Sequence, residues 1–364
     1  AILNDTHCGC RNSSDIFMDY QERFYTEEFF PYLLENGITQ ILHLGDYYDN
    51  RKTINLKALN HNRRIFLDRL REYNIHMDII PGNHDVYFKN TIELNSLKEL
   101  MGHYINEVDI LMDPIVRDYG GVKFGLVPWI CPENEKEILT FLENCGADVI
   151  GGHFELAGFE MDKGIVCHTG MDPKPLERFE TVLSGHFHTK SSKGNITYLG
   201  AQMEFFWNDA HDPKYFHIYD TETREMTPVQ NMVTLFHKIY YDEDTINYFE
   251  DLSYLNGKFV KLIVSNRSDM QKFERYVDKI QSQKIHELKI AEDFKEFRGE
   301  NVSDADITID DTETLVYNYI QEVETDLDKE RIKAVVSELM IEAQSVEIAW
   351  LNLKRYVGRI FYPQ

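Results

Sequence analysis

Five short segments of the 364-residue chain carry the side chains best suited to chemistry: Asp5-Thr6-His7, Gly45-Asp46-Tyr47-Tyr48-Asp49, Gly82-Asn83-His84-Asp85, Gly152-His153 and Gly185-His186-Phe187-His188. Carboxylate and amide oxygens mixed with imidazole nitrogens suit Mn²⁺, Fe or Zn²⁺ rather than Ca²⁺ or a thiolate cluster. One such fragment alone is a weak signal, because Asn, Gly and Asp are ordinary turn residues. Five of them, each on the same kind of loop, are a strong one.

The elements that must position them are legible as apolar runs. "QILHLGD" (40–46), "MDIIPGN" (77–83), "VKFGLVPW" (122–129), "ADVIGGH" (147–153) and "TVLSGH" (181–186) read as buried strands, and most run into a Gly followed by Asp or His. "FMDYQERFYTEEFFPYLLENG" and "NLKALNHNRRIFLDRLREYN" lie between the earlier runs with apolar residues at helical spacing. The alternation predicts an α/β layered domain over residues 1–230, with the reactive residues at strand C-terminal ends, where open α/β folds build their sites.

The pattern then changes. "KFVKLIVS" (258–265), "DMQKFERYVDKIQSQ" (269–283) and "KIHELKIAED" (284–293) predict strand, helix and strand of a small α+β unit spanning 231–298. An acidic linker over 299–310 leads to an amphipathic helix pair within 311–346, roughly 311–324 and 328–344. The second of these carries Ile332, Val335, Val336, Leu339, Met340 and Ala343 on one side. A basic, aromatic tail over 347–364 has no assigned role.

Composition narrows the classes. No apolar run approaches the roughly 20 residues of a membrane helix, and no secretory leader is visible, so a soluble cytoplasmic protein without a membrane partner is expected. The five cysteines, Cys8, Cys10, Cys131, Cys145 and Cys167, are odd in number and scattered, as suits free thiols in a reducing compartment. Cys8 and Cys10 have no second pair to complete a zinc tetrad. A formal net charge of −24 repels polyanions, so any action on nucleic acid needs a local basic cleft, bound metal ions or a basic partner.

The order D-x-H, G-D-x-x-D, G-N-H-D, G-H and G-H-x-H, spanning residues 5 to 188, resembles the signature of the calcineurin-like metallophosphoesterases. Within that superfamily, the small added domain and terminal helix pair resemble the double-strand-break repair nucleases typified by bacterial SbcD, and most nearly the recombination endonuclease subunits of T4-like phages. The resemblance implies a two-sheet sandwich flanked by helices, with a capping, DNA-binding domain. It implies one metal on Asp5, His7, Asp46 and His188, and a second on Asn83, His153, His186 and the shared Asp46. His84 would be the catalytic acid and Asp85 would orient its ring. The cofactors would be two Mn²⁺, with Mg²⁺, Fe or Zn²⁺ as alternatives. The partners would be double- and single-stranded DNA and an SbcC-like ABC ATPase gripped by the helix pair, in a heterotetramer built on a nuclease homodimer in the cytoplasm, the host's if the chain is phage-encoded. Asn4 departs from the family, which usually has Gly, Ala or Ser before the first Asp.

Chemistry supports these roles independently. Two metals about 3.5–4 Å apart can share a carboxylate, which makes Asp46 the natural bridge, and can bring the pKa of a trapped water toward neutrality. Asp49 reads as a cap or a hydrogen-bonding support for the ligands. The histidines off the motifs, His43, His61, His76, His103, His168, His211, His217, His237 and His286, read as surface or satisfied core residues. Tyr47 and Phe187 read as packing spacers. Ile65, Phe66, Leu70, Leu94, Leu97 and Leu100 are candidates for the dimer face. A metallophosphatase acting on a small-molecule or protein phosphoester is the alternative function, though it leaves the added C-terminal segments without a use.

Overall fold

The computed structural model describes residues 1–162, 165–292, 329, 331 and 332. The chain divides into two compact units, Ala1–Thr234 and Leu235–Gln364. The predicted linker, helix pair and tail lie outside the described residues, except for 329, 331 and 332, which are helical.

The first unit is built on two six-stranded sheets. One runs in the order Met226–Gln230, Tyr215–Tyr219, Ile2–Leu3, Gln40–His43, His76–Ile79, Val108–Ile110. The other runs Ser191–Lys193, Ile196–Tyr198, Thr181–Ser184, Val149–Gly152, Val122–Val127, Ile115–Tyr119. In the second sheet four parallel strands form the centre and antiparallel strands finish both edges, whereas in the first four parallel strands run out to the Val108–Ile110 edge and two antiparallel strands finish the other. Apolar residues from both sheets, among them Ile2, Leu42, Leu44, Ile80, Phe124, Leu126, Val149 and Leu183, fill one shared core. That makes the unit a sandwich whose central strands are buried on both faces, which is why they read as unbroken apolar runs.

Helices cover the outer faces. Phe24, Tyr25, Phe29, Phe30 and Phe66 pack against one another, and Phe24 and Phe29 also meet Phe216 of the first sheet. Both helical stretches that supply these rings contain a π-helical segment, Phe24–Phe29 and Arg63–Leu67. At these points adjacent side chains are buried together, Phe24 and Tyr25 in the first and Ile65, Phe66 and Leu67 in the second. The same packing accounts for most of the expected dimer face: Ile65, Phe66, Leu70 and Leu97 are buried within their own unit, and of the six only Leu94 is exposed. Those four side chains are taken up inside their own unit, which leaves Leu94 and Leu100 of the expected face.

The second unit carries three parallel strands in the order Phe236–Asp242, Phe259–Asn266, Glu287–Glu292. The helix Met270–Gln281 crosses between the last two and buries Phe273, Tyr276 and Ile280. Asp269 caps its start by accepting from Gln271 N and Lys272 N. The first strand of this unit was not visible as a separate apolar run.

Candidate metal centre

Each segment singled out for its chemistry leaves the C-terminal end of a central strand: Asp5 after Ile2–Leu3, Asp46 after Gln40–His43, Asn83 after His76–Ile79, His153 after Val149–Gly152, and His186 and His188 after Thr181–Ser184. Beyond the sheet the first two loops stay joined through Asp5 N to Gly45 O (3.0 Å), His7 N to Asp46 O (3.1 Å) and Cys8 N to Tyr47 O (2.7 Å). Asp5, His7, Asp46 and His186 hold positive φ angles of 47°, 44°, 56° and 88°. That conformation costs a non-glycine residue of order 1–3 kcal/mol and collects at functional sites. Gly82 is required because a β-carbon there would run into the carboxylate and backbone of Asp46.

Two groups of ligand atoms result. Asp5, His7 and His188 converge in one. His7 Nε2 lies 3.0 Å from His188 Nε2, and the two lie 3.9 Å and 3.8 Å from Asp5 Oδ1. Asp46, His153 and His186 converge in the other. There Asn83 Oδ1 sits 3.0 Å from His153 Nε2 and 2.9 Å from His186 Nδ1, and Asp46 Oδ2 is 3.2 Å from His153 Nε2. The groups are linked, because the backbone N–H of His186 donates to both oxygens of Asp5 (3.0 and 3.3 Å).

The donor chemistry fits a cation. His153 Nδ1 is 2.7 Å from the Leu44 carbonyl, which can only accept, so Nδ1 carries the ring proton in the neutral imidazole. Nε2 then presents a lone pair toward two other acceptors, Asn83 Oδ1 and Asp46 Oδ2. Such a confrontation is resolved by a proton or a metal ion, and the carbonyl behind the ring is the support that metal-binding imidazoles normally have.

The local field points the same way. Burial opposes charge on His7, but Asp49, Asp46 and Asp5 outweigh it and raise the pKa to about 9. Burial likewise opposes charge on His153, and Asp46 and Asp5 again prevail, to about 9. For Asp46 burial favours the neutral acid, yet His153 and His84 hold it well below the usual carboxylate range. Burial, reinforced by His7, pushes His188 well down, toward the neutral form a metal ligand needs.

His84 sits at the rim, its ring edge-on to His7 at 4.9 Å. Its backbone N–H donates to Asp46 Oδ1 (2.7 Å), and its Nδ1 bonds the carbonyl oxygen of Asp49 (2.6 Å). The expectation that Asp85 orients this ring is therefore corrected. The Asp85 carboxylate is fully buried and accepts from Gly82 N (2.9 Å), Tyr47 N (3.1 Å) and Tyr48 N (3.0 Å), fastening two loops together beneath the site. Burial and the neighbouring Asp46 raise its pKa to about 6 against the pull of those amides. The residue that aims His84 is Asp49, whose carboxylate also lies 3.4 Å from His7 Nδ1.

Other contributors were invisible as motifs. The Asn4 side chain donates to Asp5 Oδ2 (2.6 Å) and to the Gly200 carbonyl (2.9 Å), steadying the first carboxylate. Trp129 stands against His186 and His153 at ring distances of 5.4 and 5.9 Å, and Phe205 against His7 and His188 at 5.3 and 5.5 Å. Glu155 Oε2 is 3.7 Å from His186 Nε2. Trp129 alone had a usable signal, since it follows an apolar run at a strand end. Among the off-motif histidines, His43 bonds Thr6 (3.0 Å) and His61 bonds Glu22 (2.9 Å).

A sandwich with histidines, aspartates and an asparagine gathered at one edge of its strands is the arrangement of a two-metal phosphoesterase. The calcineurin-like phosphoesterase profile matches residues 1–190, more than half the chain. The chain belongs to that family and is a metal-dependent phosphoesterase. It is 32% identical over 315 residues to "Exonuclease subunit 1" of Enterobacteria phage T4, covering 86% of this chain and 90% of that protein. A crystal structure from Thermus thermophilus aligns with 63% of this chain and 97% of its own at 10% identity, with a TM-score of 0.35, too slight a likeness to carry any argument.

Proposed function

We propose that the chain is a Mn²⁺-dependent DNA exonuclease and endonuclease that processes ends in recombination and double-strand-break repair, working with an SbcC-like ABC ATPase. The observation that carries this reading is the reach of its similarity to a phage exonuclease subunit, which at 86% of the chain extends well past the catalytic unit. The net charge of −24 agrees with a division of labour in which a partner supplies the basic DNA surface. In this reading residues 231–298 cap the DNA cleft and the helix pair within 311–346 holds the ATPase.

Asp5, His7, Asp46 and His188 would hold one ion, and Asn83, His153, His186 and the shared Asp46 the other. Bound ions would polarise the scissile phosphate and acidify an attacking water. The protein's part is then positional and protonic. The Leu44 carbonyl fixes the His153 tautomer, and Asn4 and the His186 N–H fix the Asp5 carboxylate. Because His84 Nδ1 is committed to Asp49 O, Nε2 is the nitrogen that would deliver a proton to the departing sugar oxygen.

The test is hydrolysis of a linear duplex beside bis(p-nitrophenyl) phosphate, with Mn²⁺ and then chelator, for the parent and His84→Ser, with and without the host's SbcC-like ATPase. Metal-dependent DNA cleavage that collapses in the variant and responds to the ATPase is expected. Turnover of the small ester with DNA untouched, even beside the ATPase, overturns the reading in favour of a phosphatase.

A further inference from the structure

Beside the metal centre lies a second cavity, of about 200 Å³, that the proposed hydrolysis does not use. Cys8 and Asp49 form its wall on the side of the site. Cys8 follows the ligand His7, and Asp49 is the residue whose carbonyl aims His84 and whose carboxylate faces His7. The rest of the lining includes Gly9, Asn12, Ser13, Asn50, Thr53 and Asn55, and contains no Lys or Arg.

That lining sets the Asp49 carboxylate and no cation against a phosphate, and its neutral donors suit a planar, acceptor-bearing group. Asn50 Oδ1 is taken up by Lys52 N (2.9 Å) and Thr53 N (3.2 Å), and Asn55 Oδ1 by Lys57 N (2.8 Å) and Ala58 N (3.4 Å). With both carbonyl oxygens engaged, each side chain offers its NH₂ end as a donor. Asn12 and Ser13 of the lining belong to a left-handed turn in which Arg11, Asn12 and Ser13 hold φ angles of 53°, 55° and 58° in succession. Such a run is disfavoured for L-residues and survives only where surroundings impose it. Here Arg11 imposes it, donating from Nε and a terminal nitrogen to the Phe205 carbonyl (3.0 and 2.7 Å) and lying over the Phe206 ring at 4.5 Å.

We propose that this cavity receives the base of the nucleotide adjoining the scissile phosphate, with Asn50 and Asn55 donating to ring nitrogens and carbonyl oxygens on the base edge. The proposal rests on the nuclease reading. It makes the cavity a substrate-positioning site with a base-edge preference, separate from the ions.

The test uses the full chain with Mn²⁺ and short duplexes that are intact or carry a single abasic residue at the terminal or penultimate position. Bis(p-nitrophenyl) phosphate serves as the substrate without a base. Asn50→Asp and Asn55→Asp keep the oxygen that caps the backbone and replace the donor with an acceptor. In the parent, the abasic residue at one position should raise KM by about tenfold, the worth of one or two hydrogen bonds. Each variant should lower the ratio of DNA to small-ester turnover by a similar factor and lose its sensitivity to the abasic residue. Equal cleavage of abasic and intact duplexes by the parent, or an unchanged ratio in both variants, overturns the pocket while leaving the nuclease reading in place. A parent that hydrolyses the small ester and no DNA, even beside the SbcC-like ATPase, removes the nuclease reading, and the pocket with it.

Discussion

At the scale of single residues, the site separates groups proposed to meet substrate from groups that hold others still. Asp85 belongs to the second kind, and its replacement should be felt in stability before chemistry. Asp85→Asn sets an NH₂ against a cradle of three backbone donors, so urea unfolding should show a loss of about 2 kcal/mol. His84→Ser should unfold close to the parent's midpoint while losing activity. Gly82→Ala presses a methyl group into Asp46. Displacing the carboxylate proposed to be shared should reduce Mn²⁺ binding, read directly by electron paramagnetic resonance, and abolish turnover on every ester. The proposed ligands were legible in the sequence because Asp, Asn and His at strand ends advertise their chemistry. The Asp49 carbonyl was not, since every residue has one and only the fold decides which is aimed at a ring. Asn4, which looked like a departure from the family, holds Asp5 in place.

At the scale of elements, five inner strands were readable, while the edges and the inner strands Ile196–Tyr198 and Tyr215–Tyr219 were not. Val149–Gly152 and Thr181–Ser184 are almost wholly buried and form continuous apolar runs, whereas Ile115–Tyr119 and Met226–Gln230 alternate with exposed residues, the latter around Pro228. Edge strands escape notice because half their side chains face water and a proline is tolerated there. The segment after His188 is a further element without a motif. Buried Lys214 bonds Asp209 Oδ1 (2.6 Å), Asp212 Oδ2 (2.9 Å) and the His188 carbonyl (3.2 Å), pinning the ligand loop from behind. Lys214→Met would leave two carboxylates facing each other without their cation. A loss of about 3 kcal/mol in calorimetry is expected, since breaking a buried pair is far more harmful than replacing it whole.

At the scale of the molecule, the two units have separate cores, one between the sheets and one around Ile239, Tyr241, Leu262 and Phe273. Metal ligation is expected to act on the first alone. Saturating Mn²⁺ at about a hundred times its dissociation constant should stabilise that unit by about 2.7 kcal/mol. In differential scanning calorimetry, one transition should move with added metal and return on chelation, and a second should stay where it is. Movement of both together would show that the units unfold as one. Among the described residues no helix is long and apolar enough to cross a membrane.

The short strand Ile2–Leu3 lies between Gln40–His43 and Tyr215–Tyr219, with Ile2 opposite His217. Its loop carries the first proposed ligand, and the last of them, His188, comes 183 positions after Asp5. A chain emerging from the ribosome therefore lacks its last proposed ligand until synthesis has passed His188, and lacks part of its first sheet until it has passed Gln230. Contacts of such long sequence separation form late. A product truncated before His188 would lack a proposed ligand, and one truncated before Tyr215 would leave Ile2–Leu3 without its antiparallel neighbour, so an interrupted message is expected to release no working hydrolase among the cell's phosphodiesters.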